Sequence, residues 1–71
     1  MNPVNHKKLL HSKWTATQPV SRSKHFMVVE VIEDDDEVPQ YCLLEAVVTG
    51  KQFMVHWRDL KNSEHWRTGW L

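Results

Sequence analysis

Three apolar runs dominate the middle of this chain: residues 25–33 (HFMVVEVIE), 40–49 (QYCLLEAVVT) and 52–58 (QFMVHWR). Each is rich in valine, isoleucine, threonine or aromatic residues, the composition of a β-strand. The third alternates cleanly, with Phe53, Val55 and Trp57 on one face and Gln52, Met54, His56 and Arg58 on the other. Polar breaks separate the runs. Residues 17–24 contain Pro19 and read as a loop, residues 34–39 read as an acidic loop, and residues 49–52 read as a tight turn around Gly50.

The pattern also predicts pairing. A two-residue type II′ hairpin with Gly50 and Lys51 at its tip sets Thr49 against Gln52, Val48 against Phe53, Ala46 against Val55 and Leu44 against Trp57. The opposite face then pairs Val47 with Met54, Glu45 with His56 and Leu43 with Arg58. Uniform alternation in residues 25–33 places Met27, Val29 and Val31 on the face of Cys42 and Leu44. The predicted core is therefore Met27, Val29, Leu44, Ala46, Val48, Phe53, Val55 and Trp57. The other face holds Phe26, Val28, Ile32, Tyr41, Leu43, Val47 and Met54, too apolar for a wet surface, so the flanking segments or a second copy should cover it.

The flanks predict two more elements. Ser12, Trp14 and Ala16 alternate with Lys13 and Thr15, as in a short fourth strand over 12–16. Residues 62–69 predict a helical turn, capped by Asn62 or Ser63 and ended by Gly69, with Trp66 and Trp70 on one face. The expected fold is mainly β (small α+β). It is a three- to four-stranded antiparallel meander or partly open small barrel, with a short C-terminal helical turn. Residues 1–71 form one domain, with 1–11 as a flexible basic arm.

Length sharpens the picture. A chain of 71 residues buries only about 60% of the surface its unfolded form exposes. Four tryptophans, at 14, 57, 66 and 70, must then form much of the core or sit on a binding surface. Cys42 is the only cysteine, which excludes an intrachain disulfide and fits a reducing compartment. No apolar run reaches the roughly 20 residues of a membrane span, and residues 1–8 lead into no signal-peptide core. The expectation is a cytoplasmic protein that starts at its own initiator methionine. Net charge is zero, yet residues 1–25 hold only basic charges and residues 26–48 only acidic ones.

Several short blocks, Lys13-Trp14-Thr15-Ala16, Lys24-His25-Phe26, Leu44-Glu45-Ala46-Val47, Trp57-Arg58-Asp59-Leu60 and Trp66-Arg67-Thr68-Gly69-Trp70, follow one another in a specific order. Over residues 9–71 the chain resembles the short tryptophan-rich bacterial hypothetical proteins, a family of unknown function. That resemblance implies a stand-alone bacterial cytoplasmic protein and carries over no activity, cofactor or catalytic residue.

The residues themselves argue against catalysis. Five histidines and Cys42 show no metal-ligand spacing. Cys42 and His56 fall on opposite faces of the predicted hairpin, so no thiol–imidazole pair forms. Glu45 facing His56 would raise the imidazole pKa, but such a pair is ordinarily a sheet contact worth under about 1 kcal/mol. With two glycines there is no phosphate-cradling loop. Neither enzyme, metal, cofactor nor small-molecule substrate is expected. The chain reads as a non-enzymatic binding module, with protein contact or self-association as the first choice and no membrane partner. Single-stranded RNA or DNA is the alternative, through Trp14, Trp66 and Trp70 beside Lys13, Arg58 and Arg67.

Overall fold

A computed structural model describes residues 1–71, except for the side chain of His6. Five strands form one antiparallel sheet: β1 (Lys13–Val20), β2 (Ser23–Glu33), β3 (Pro39–Ala46), β4 (Gln52–His56) and β5 (Trp66–Thr68). Their spatial order is β4-β3-β2-β1-β5. The first four strands make the expected meander. The sheet stays open, with β4 and β5 as its two edges.

The central hairpin keeps its predicted faces but not its predicted register. Leu44 pairs with Phe53 and Cys42 with Val55, where the two-residue turn required Leu44 against Trp57. The turn is longer: Ala46 N–H donates to the Lys51 carbonyl at 2.8 Å, and Gly50 N–H reaches back to the Ala46 carbonyl at 2.8 Å. Gly50 has φ +75°, a left-handed conformation that glycine adopts without steric cost. Val48 does not pair with Phe53. It lies at the loop tip, 86% exposed. The slide spans an even number of residues, so Leu44, Ala46, Phe53 and Val55 still share one face.

In β2 the predicted face is partly reversed. Val28 pairs with Leu44, but Glu30 pairs with Leu43, which leaves Val29 as an extra residue between them. A bulge of this kind interrupts the two-residue period. Phe26 and Val28 therefore join Val31, Cys42 and Leu44 on the core side. Met27 and Val29, expected in the core, are only half-buried, while Phe26 and Val28 are fully buried.

Residues 17–24 are a hairpin, not a loop. β1 runs to Val20, which pairs with Ser23 across Ser21 and Arg22. Both turn residues have positive φ, 48° and 67°, as in the type I′ turn whose twist suits a hairpin. Serine and arginine carry no sequence signal for that turn. A second irregularity separates the Thr15 and Val20 registers.

The C-terminal helical turn expected over 62–69 is a strand instead. β5 pairs with the free edge of β1: Trp14 with Thr68, Thr15 with Arg67 and Ala16 with Trp66. The helical turn of this region comes earlier, as a 3₁₀ turn over Trp57–Lys61. It carries the chain from one sheet edge to the other across the core face and buries Trp57 and Leu60.

Segment 1–12 completes this cover. It holds a one-turn 3₁₀ helix at His6–Lys8, and Leu9 is buried in the core. Asn2 is buried. Its Nδ2 donates to the Leu60 carbonyl at 2.9 Å and the Trp66 carbonyl at 2.6 Å, and its backbone N–H donates to the Lys61 carbonyl at 2.9 Å. One side chain thereby ties the N-terminal segment, the 3₁₀ turn and β5 together. The finished core is Leu9, Trp14, Ala16, Phe26, Val28, Cys42, Leu44, Ala46, Trp57, Leu60 and Trp66.

Two substitutions test this arrangement. Asn2→Ala removes the partner of two buried carbonyls and should cost about 1–3 kcal/mol, read as a lower urea midpoint with an unchanged slope. Replacing Ser21-Arg22 with Asn-Gly relieves two positive-φ residues and should raise stability by about 0.5–1 kcal/mol. A loss of stability there would contradict the I′ turn.

Candidate functional site

The side of the sheet away from the core is where binding chemistry would have to lie. Alternation places Lys13, Thr15 and Arg67 there from β1 and β5, and His25 and Met27 from the first part of β2. Beyond the bulge it places Glu30 and Ile32, with Tyr41, Leu43 and Glu45 from β3 and Gln52, Met54 and His56 from β4.

Residues 69–71 cover one end of this face. After β5, Gly69 turns the chain with φ +78°. Thr15 Oγ1 donates to the Gly69 carbonyl at 2.7 Å and accepts from Leu71 N–H at 3.0 Å. The Trp70 indole N–H donates to the Phe26 carbonyl at 2.9 Å. Lys13 Nζ stands 4.7 Å over the Trp70 ring, a cation–π contact. His25 Nε2 lies 2.7 Å from the Leu71 carbonyl oxygen.

Past the tail the face is open. Tyr41 is 43% exposed and Met54 58%, Ile32 and Leu43 are half-buried beside them, and Met27 is half-buried opposite Glu45. Tyr41 faces His56 across the β3–β4 pair with rings edge to face, centroids 5.4 Å apart. The sequence pattern already placed Ile32, Tyr41, Leu43 and Met54 on this face. Met27 was missed because the bulge that moves it leaves no signal in residue types. Val47, expected here, sits in the β3–β4 loop.

The six residues singled out for binding are divided between the two sides. Trp14 and Trp66 are buried on the core face, Trp66 edge-to-face with Phe26 at 5.5 Å. Trp14 satisfies its N–H on Ser12 Oγ at 2.8 Å. Trp70 keeps 40% of its surface and shares the outer face with Lys13 and Arg67. Arg58 lies apart, in the 3₁₀ turn, with its guanidinium 5.5 Å from the Trp57 ring centroid, and Lys61 Nζ is 4.6 Å from the same ring.

Acid–base chemistry at Glu45 and His56 loses its geometry. The register sets Glu45 against Gln52, whose Nε2 donates to its Oε1 at 3.2 Å. His56 Nδ1 instead accepts from Arg58 N–H at 3.1 Å. Cys42 is buried, and desolvation pushes its thiol up to about 11, so little nucleophilic thiolate exists near neutral pH. Among the described residues, no three His, Cys, Asp or Glu side chains converge as metal ligands. No helix is long and apolar enough to cross a membrane.

The geometry defines a small open β-sheet protein with one roofed face and one mixed face, on which Ile32, Tyr41, Leu43 and Met54 cluster among polar residues. The chain belongs to the tryptophan-rich protein family DUF2389, a family of unknown function, whose model matches residues 12–71. Comparisons with curated proteins and with solved structures found no match.

Two measurements check these placements. Trp70→Phe should remove most of the acrylamide-quenchable fluorescence, because Trp14, Trp57 and Trp66 are nearly inaccessible. Cys42 in the folded chain should resist iodoacetamide at pH 8 and react only after denaturation. Rapid labelling of the native protein would contradict its burial.

Proposed function

We propose that this chain is a non-catalytic protein-contact module that binds through the uncovered sheet face. One observation carries the reading. Tyr41 and Met54 are exposed beside half-buried Ile32 and Leu43, with Glu30, Glu45 and His56 at the rim, and the N-terminal segment and the 3₁₀ turn are both spent on the opposite face. An exposed apolar cluster rimmed by polar residues is characteristic of an interaction surface. A tyrosine beside methionine suits it to protein rather than to phosphate, since aromatic residues and methionine are enriched at interface centres.

Single-stranded nucleic acid has the weaker claim. Two of the three candidate stacking residues are core, Lys13 occupies a face of the third, and zero net charge gives no long-range pull on a polyanion.

Light scattering after size exclusion, joined to affinity capture with the tagged chain, tests the proposal. Association is expected in the micromolar range, and Tyr41→Lys should weaken it by about tenfold or more without altering the circular dichroism. A wild-type chain that stays strictly monomeric and retains no protein would overturn it. So would capture of a partner protein that Tyr41→Lys leaves intact.

A further inference from the structure

The two edges of the sheet are not equally protected. β5 has three residues, with Arg67 at its centre, and the overhang of β1 beside it carries Pro19. A charge and a proline are the usual means by which a sheet edge resists pairing. β4 has neither. Gln52–His56 contains no Lys, Arg, Asp, Glu or Pro, and its register against β3 runs without a bulge.

The backbone of β4 also points the right way. β3 engages it at Lys51, whose carbonyl accepts from Ala46 N–H. In an antiparallel ladder the hydrogen-bonded pairs alternate, so the next ones are Leu44 with Phe53 and Cys42 with Val55. The N–H and C=O groups of Gln52, Met54 and His56 therefore face outward. Apolar side chains flank them on both sides: Phe53 and Val55, half-buried, on the core side and Met54 on the other. A hollow of about 220 Å³ between Val20, Phe26, Leu44 and Trp66 opens onto this edge at Phe53, Met54 and Val55.

We propose that β4 pairs antiparallel with β4 of a second copy of the chain, about a two-fold axis at Met54, joining two sheets into one. This goes beyond the protein-contact reading above: the second copy docks on the sheet edge and leaves the outer face around Tyr41 free. Outward-facing residues must meet outward-facing residues, and the longest such ladder sets Met54 against Met54 and Gln52 against His56. Phe53 of each copy then stands beside Val55 of the other on the core side, next to the open hollow. The paired Met54 side chains continue the stripe of Tyr41 and Leu43 on the outer face. Charge permits this contact. The chain is net neutral, and the same register sets Lys51 against Trp57 and Arg58 against Gly50, so no like charges oppose each other across the axis. A two-fold contact of this kind closes on itself and leaves no further β4 edge for polymerisation.

The test uses the full chain in sedimentation equilibrium from roughly 1 to 200 µM. Met54→Pro removes an outward N–H that β3 does not use, so the monomer fold is retained. It should raise the dimer dissociation constant about 100-fold, whereas Met54→Ala, which keeps the N–H, should raise it less than about tenfold. Met54→Lys, which sets two ammonium groups at the axis, should also give a monomer. In a mixture of isotope-labelled and unlabelled wild-type chains, nuclear Overhauser contacts should appear between the Phe53 ring of one copy and the Val55 methyls of the other. A wild-type monomer across the whole range overturns the inference. A dimer that Met54→Pro and Met54→Lys leave intact but Tyr41→Lys breaks also overturns it, while the sheet-face reading stands.

Discussion

An extra residue at Val29 fixes which side of the sheet is dry. Without it, strict alternation would send Phe26 and Val28 to one side and Val31 to the other. With it, all three meet Cys42 and Leu44 on a single face. Phe26 becomes the centre of that face, in edge-to-face contact with Phe53 at 6.0 Å and Trp66 at 5.5 Å. Such pairs add to the free energy of burying the rings. The same bulge leaves Met27 on the outer side, opposite Glu45.

A sheet this small needs a roof, and the chain builds one from segments with little regular structure. The N-terminal segment supplies Leu9 and the 3₁₀ turn supplies Trp57 and Leu60. Asn2 holds the two together by satisfying carbonyls that would otherwise be buried without donors. Among the described residues no comparable lid covers the outer side. Residues 69–71 shield Thr15 and the Phe26 carbonyl, over β1 and β2. The asymmetry between the roofed and the open face is what motivates a protein-contact role, and the bare β4 edge lies along the border of both.

The tryptophans illustrate how one residue type serves different ends. Trp14 and Trp66 are strand residues facing inward from adjacent strands. Trp57 lies under the cations of Arg58 and Lys61, whose aliphatic stems help keep water from it. Trp70 alone lies on the outer face, pinned by its N–H and capped by Lys13. Chain length explains the economy. With so few residues, large rings are the densest available source of buried area.

Residue types alone determined the strand character of 25–33, 40–46 and 52–56, the meander, the inward placement of Cys42, Leu44, Ala46, Phe53 and Val55, and most of the outer patch. These follow from a period of two and from β-propensity, which are local properties. The register of β4, the bulge at Val29, the I′ turn at Ser21-Arg22 and the strand at Trp66–Thr68 were decided by tertiary structure. Glu45 and His56 were separated by the first of these, and Met27 was moved outward by the second. For three of these the deciding contact joins residues far apart in sequence: Trp66 beside Ala16, Trp57 freed from β4 to roof the core, Phe26 gathered against Phe53. Short-range pattern cannot weigh such burial, because the free energy that selects one turn length or one bulge is released only when the distant surface is present to be covered.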